Sequence, residues 1–299
     1  MAVVEGFTML AYQRYRAVCG RRLQSGRRRL RSIPYPQYER RVPVRNLPIL
    51  SYLATVFIFT IATLGNAPRA ETLVGSNVDS RVVVAFKVSD AAAQSWMPEG
   101  WSVTPVAKKG PLAETNLFVI FIDRLLNLNS EGKPAEPAAF RGVALASVGL
   151  KAEERRLFVT RVYISDATVN PYKNSVGATI SRKTATQGSQ GQPAAGTDDW
   201  SVAVGDGEAL TLGMVYQGGA PGWSEKEAMP YSNVEPEFHR IYRYQQIADL
   251  LRSTPIGVDK LESFAFTTSI KEIAPMFDGS EELIAVFNIP WYQRKTFLP

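Results

Sequence analysis

The 299-residue chain holds one cysteine, Cys19, and one histidine, His239. With no cysteine after position 19, disulfides and thiolate metal ligands are excluded from the rest of the chain. A single histidine excludes histidine-rich metal centres. A Ser-His-Asp triad would have to use His239 itself. That residue sits in "EPEFHRIYRY" among aromatic and basic neighbours, where a structural role is the simpler reading and a ligand-facing role the alternative. No GxSxG nucleophile elbow occurs. No GxGxxG or GxxxxGK[ST] phosphate loop occurs either, and "VGDGEAL" has the spacing of a turn. The sequence therefore asks for no cofactor and no metal.

Basic residues are nearly absent as clusters outside the amino-terminal stretch. Residues 1–46 carry eleven arginines, no lysine and two acids, Glu5 and Glu39. From Glu71 onward, 26 acidic residues stand against 22 lysines and arginines. The overall charge of +6 thus belongs to the extension. Phosphate backbones are bound by clustered lysine and arginine, so no nucleic-acid partner is expected for the body. For "GRRRLR" (Gly26 to Arg31) two readings stand: contact with nucleic acid or anionic lipid, and an unstructured basic leader.

The one long apolar run is "LPILSYLATVFIFTIATL" (Leu47 to Leu64), eighteen residues without a charge. A basic flank, an apolar run and a small-residue exit describe an export signal, with cleavage expected near Ala70. An uncleaved anchor is the alternative, and membrane contact would then run through residues 47–64 alone. The protein is expected to be exported, periplasmic or secreted. Because the run begins so far into the chain, translation is expected to start near Val44. The implied organisation is a basic disordered extension at 1–46, a signal peptide or anchor at 47–70, and a single α+β domain at 71–299.

Strand signals dominate that body. "SRVVVAFKV" is rich in β-branched residues, "TNLFVIFIDRLLNL" reads as a buried strand, and "FRGVALASVGL" with "RRLFVTRVYISD" flank the charged turn "KAEE" as a hairpin. "SDAAAQSWM" carries a helix start and "PEGW" its stop. "ALTLGMVYQGG" is a further strand. "HRIYRYQQIADLLRS" reads as strand then helix, its second half having helical spacing. "LESFAFTTSI" and "ELIAVFNIPWY" complete the sheet. "TATQGSQGQPAAGTDD" (Thr184 to Asp199) lacks large apolar residues and reads as a loop. The expected fold is α+β, a predominantly antiparallel, barrel-like sheet core with a few helices.

Several residues are candidates for chemistry. Asp123 ends an apolar strand, where adjacent Arg124 or turn amides would satisfy it unless it faces a pocket. Trp223, Trp291 and Tyr292 are placed to line an apolar pocket, with Arg294 or Lys295 meeting an acidic headgroup; core packing is the simpler alternative. "VYISDATVNPYKNSVGATISRK" (Val162 to Lys183) lays out a strand, a polar turn, a glycine and a second strand, with lysines at Lys173 and Lys183.

The segment order resembles the acetoacetate decarboxylase-like superfamily over most of residues 80–298. The likeness is carried by "AAAQSWMPEGW", "NLFVIFIDRL", "FRGVALASV" and "FVTRVYISDA". The resemblance implies a Schiff-base lysine after a Gly-Phe-Pro run, its amine kept free by a desolvated pocket or a neighbouring cation. An ungapped match puts Ile180 at that position. Lys173 falls near the family's arginine, and Lys183 falls three residues late, on the opposite strand face. Arg141 stands where a carboxylate is expected. Together with the export segment, the resemblance and these departures lead to the expectation of an exported protein that binds a small apolar or carboxylated molecule without Schiff-base chemistry, Arg141, Lys173, Asp123 and the aromatics being the candidate contacts. A β-keto acid decarboxylase or related lyase using Lys183, and an envelope structural or interaction protein, are the alternatives.

Overall fold

The computed structural model describes residues 70–189 and 194–299. The extension at 1–46 and the apolar run at 47–64 lie outside the described residues, as does Cys19. Among the described residues no helix is long and apolar enough to cross a membrane.

β1 (Thr72–Lys87) is a sixteen-residue strand, built where β-branched valines favour the pleated backbone. α1 (Asp90–Gln94) is a five-residue helix whose carboxy-terminal flank reaches Gly100 at φ 78°. β2 (Ser102–Val103), β3 (Leu117–Asn129), β4 (Phe140–Lys151) and β5 (Glu154–Ile164) follow. β4 and β5 form the hairpin expected around "KAEE", with Lys151 opposite Glu154. Next come β6 (Ser175–Gly177), β7 (Thr179–Gln187), β8 (Ala195–Val204) and β9 (Glu208–Gln217). The chain closes with β10 (Gly222–Ala228), β11 (Pro230–Ser232), β12 (Ile241–Ser253), β13 (Val258–Asp259), β14 (Leu261–Thr268) and β15 (Glu282–Leu298).

The larger sheet has the order β10-β12-β15-β1-β3-β4-β5-β11, antiparallel along this path except where β11 meets β5. Its two edges are consecutive in the chain: only Met229 separates Ala228 of β10 from Pro230 of β11. Adjacent Cα atoms lie about 3.8 Å apart, so the last residues of one edge and the first of the other are neighbours in space. The sheet therefore closes on itself as a barrel, the geometry that leaves room for one small ligand at eight strands.

β14-β9-β8-β7 form a second, antiparallel sheet. It packs against the outer face of the barrel, where Val82, Val84, Leu117, Val119, Phe121 and Leu145 meet Trp200, Val202, Leu210, Leu212 and Met214 in one apolar cluster. Phe121 and Trp200 have ring centroids 5.4 Å apart. Burying side chains of this size stabilises the fold by about 1.5–3 kcal/mol each, which makes this seam the principal core.

The expected antiparallel, barrel-like core with few helices is what the described residues form, with three corrections. "QQIADLLRS" is strand throughout, the second half of β12. Register shifts at Ile247/Asp249 and Leu250/Arg252 insert extra residues. Each such bulge breaks the period of two, so Ile247, Leu250 and Leu251 acquire a spacing that imitates a helix. In the stretch expected as a loop, Thr184–Gln187 and Ala195–Asp199 are paired strand; residues 190–193 lie outside the described residues. "LESFAFTT" belongs to the second sheet rather than to the one containing β15.

Candidate ligand-binding site

Strand alternation sends every second residue of a barrel strand inward. On β1 this set is Asn77, Asp79, Arg81, Val83 and Ala85, while Val82, Val84 and Phe86 pack outward against the second sheet. Register shifts keep the polar residues of the neighbouring strands on the inner face. One in β3 places Arg124 opposite Asp79, and one in β15 after Ile289 places Tyr292 there. Pro290 sits within that second irregularity, where a residue without an amide donor is tolerated. The interior is a cavity of about 620 Å³, within the usual range for small-molecule sites.

One end of the cavity is polar. Asp79 is completely buried. It accepts hydrogen bonds from Arg81 Nε at 3.0 Å, Arg124 Nε at 2.9 Å and Asn77 Nδ2 at 2.8 Å, and Arg81 closes on it with a second nitrogen. Burial alone would raise the Asp79 carboxyl, but the guanidiniums of Arg81, Arg124 and Arg294 outweigh it and hold the group well below the usual carboxylate range. Burial lowers the pKa of Arg124, against the pull of Asp79.

Arg294 is held differently. Its Nε donates to Asn77 Oδ1 at 3.0 Å, and its guanidinium lies 3.8 Å from the Tyr242 ring centre. Among the described residues it has no carboxylate within ion-pair reach. Arg81 stacks on Tyr292 at 3.5 Å, and Tyr244 stacks on Tyr292 at 5.0 Å. Such cation–π contacts orient a guanidinium without neutralising it. Burial raises the hydroxyl pKa of Tyr244 and Tyr292, so both stay protonated donors at neutral pH. Tyr172 is raised by burial and by Tyr242, to whose hydroxyl it is hydrogen-bonded. In cross-strand register Lys226 faces Tyr244, Tyr244 faces Arg294, and Arg294 faces Asn77. This belt puts an amine on the cavity wall in the same layer as Arg294.

The other end is apolar, walled by Val83, Phe118, Ile120, Ala144, Ala146 and Phe287. Glu227 is the one acidic residue among the described cavity-lining residues, and its carboxylate pairs with the exposed Arg243 at 2.8 Å. The arrangement can hold an anionic head among guanidiniums and tyrosine hydroxyls while an apolar body lies against aliphatic walls.

Of the residues singled out from sequence, Tyr292 and Arg294 line this cavity. Lys295, the alternative to Arg294, is exposed on the opposite face. Asp123 and Arg141 lie on the outer face and pair with each other at 3.1 Å. Asp123 is satisfied by Arg141 and Arg182, not by Arg124, which points the other way. Trp223 is 62% exposed on β10, and Trp291 precedes the inward Tyr292 without lining the cavity. Lys173 is an exposed turn residue at φ 61°, paired with Glu235 at 2.6 Å. Lys183 is exposed on β7 of the second sheet, and Ile180 is buried in the seam between sheets. His239 packs tilted against Tyr231, ring centres 4.6 Å apart, outside the cavity lining.

Asp79, Arg81, Arg124, Arg240, Tyr172, Tyr242, Tyr244 and Lys226 were not singled out from sequence. The signal for the first two was "NVDSRVVV", where a carboxylate and a guanidinium two residues apart share one face of a strand.

No family model matches the chain, and no curated protein matches its sequence. Among solved structures it is similar to the enduracididine biosynthesis enzyme MppR with HEPES buffer bound, at 11% identity over 76% of this chain and 87% of that one, TM-score 0.48. It is similar to an acetoacetate decarboxylase-like enzyme from Sphingomonas wittichii RW1, at 9% identity over 76% and 91%, TM-score 0.47. A third is acetoacetate decarboxylase from Legionella pneumophila subsp. pneumophila str. Philadelphia 1, at 9% identity over 79% and 91%, TM-score 0.42. The likeness is one of chain path and assigns no residue a role.

Proposed function

We propose that the barrel interior binds a small organic anion with an apolar body, a carboxylic acid in the first instance. The observation that carries this reading is Arg294: a cation inside the barrel, oriented by Asn77 and Tyr242, with no carboxylate partner among the described residues. A guanidinium half withdrawn from water without an ion-pair partner is costly, and a ligand carboxylate supplies that partner with charge-assisted hydrogen bonds. The aliphatic far end of the cavity gives the rest of the ligand a place to leave water. The exported location stays part of the proposal, resting on residues 47–64 and tested by fusing residues 1–70 to a periplasmic reporter.

The test is thermal unfolding of the full chain with decanoate and with decanol. A ligand at about a hundred times its Kd stabilises by about 2.7 kcal/mol, which raises Tm by about 5 °C or more for a domain of this size. Decanoate is expected to do so and decanol to fall well short. Equal shifts would remove the role of the charge.

A second reading is favoured by Lys226 alone. An amine on the cavity wall beside Arg294 could condense with a keto acid, losing water and forming an imine that releases carbon dioxide. Lys183, exposed on the second sheet, is not placed for this. Borohydride treatment with acetoacetate distinguishes the readings: a reduced adduct on Lys226 makes the protein an enzyme, and an unchanged mass leaves it a binder.

A further inference from the structure

Arg240 is the other guanidinium of the cavity wall without a counter-charge. It lines the cavity just before β12, and its backbone amide donates to Pro230 O at 3.2 Å. Its Nε is buried and has no hydrogen-bond partner. Among the described residues no carboxylate lies within ion-pair reach of its side chain. It stands two residues from Tyr242, about 6.6 Å along an extended chain. Arg294 lies over the ring of that same tyrosine. The hydroxyl pair of Tyr172 and Tyr242 therefore has a guanidinium without an ion pair on each side, and both guanidiniums lower the pKa of Tyr172 against the stronger effect of burial. Arg81 and Arg124 differ, since both already hold Asp79.

We infer that the ligand is a dicarboxylate: one carboxylate meets Arg294 at the Asp79 end and the second meets Arg240 beyond the tyrosine pair. Two half-buried guanidiniums without an ion-pair partner call for two negative charges, and their placement on either side of Tyr242 calls for those charges on separate groups. Tyr172 and Tyr242 then form a hydrogen-bonding bridge between the two ends, and the ligand's apolar body lies against the aliphatic wall. This inference rests on the anion-binding reading above and narrows it from monoacids to diacids.

Titration calorimetry on the full chain tests it with three probes: decanoate, decanedioate and decyl phosphate. Decanedioate is expected to bind at least tenfold more tightly than decanoate. In Arg240→Gln that preference should fall to near parity, and Arg240→Lys should restore part of it. Decyl phosphate carries its charge on one group, so its affinity should not depend on Arg240. Equal affinities for decanoate and decanedioate in the wild type would overturn the two-point inference and leave anion binding intact. Tighter binding of decyl phosphate than of decanedioate would do the same. Failure of all three to bind would overturn the anion reading itself. Circular dichroism on each variant confirms that a lost preference is read on folded protein.

Discussion

The two faces of the barrel wall each carry an arginine–aspartate network, and the two differ in balance. On the outer face Arg182 donates to Asp198 at 2.9 and 2.5 Å and reaches Asp123 at 3.4 Å, while Arg141 holds the other oxygen of Asp123. Two guanidiniums meet two carboxylates, and Ser80 Oγ accepts from Arg182 Nη1 at 3.0 Å. That network is closed, and it ties the second sheet to the barrel. On the inner face one carboxylate, Asp79, faces Arg81, Arg124 and Arg294, with Arg240 farther along the wall. The same residue types thus balance charge on the outer face and leave a surplus of guanidiniums on the inner one.

Removing a carboxylate from the closed network should have the largest effect. Asp198→Ala leaves Arg182 buried without its main partner and should cost about 3–5 kcal/mol, read as a fall in the urea midpoint that no anion reverses. Asp79→Asn should cost a similar amount, but saturating decanoate should recover part of it, because the ligand supplies charge to the same guanidiniums. Recovery in both variants, or in neither, would erase the distinction between the two faces. Next comes Arg294→Gln, which removes a charge-assisted hydrogen bond worth about 1.5–3 kcal/mol. Decanoate affinity should fall about tenfold to a hundredfold while stability is kept or slightly raised.

Acid should act in a defined direction. Asp79 is held low in the folded protein and titrates near 3.9 when unfolded. Its contribution is complete above about pH 4 and is lost as the pH falls below that, since the unfolded chain then binds the extra proton. Wild type should therefore lose stability between pH 4 and 2 more steeply than Asp79→Asn, by urea titration at each pH. The smallest effect is expected at the apolar end. Ala146→Leu narrows the cavity and should weaken decanoate by a few-fold while leaving butyrate unchanged in calorimetry.

The strands were legible in the sequence because their apolar runs are long and β-branched, as in "RVVVAF" and "LFVIFI". The site was legible only where an aromatic and a basic residue already stood together near the chain end, as at Tyr292 and Arg294. Asp79 and Arg124 come together through the β1–β3 pairing, forty-five residues apart, and no local pattern reports that contact. Asp123 and Arg124 show the other difficulty: neighbours in sequence, they serve opposite faces of one wall, so a carboxylate beside an arginine said nothing about which charge it met. Lys173 and Lys183 attracted notice through a strand-turn-glycine frame. That frame delivers Tyr172 to the cavity and sends both lysines to solvent.

The most direct measurement is calorimetric titration of decanoate into the full wild-type chain and into Arg294→Gln. The account predicts saturable one-to-one binding in the wild type and at least a tenfold loss in the variant, with folding intact. Binding of equal strength in both proteins would contradict it, because the Arg294 guanidinium would then have no part in holding the ligand.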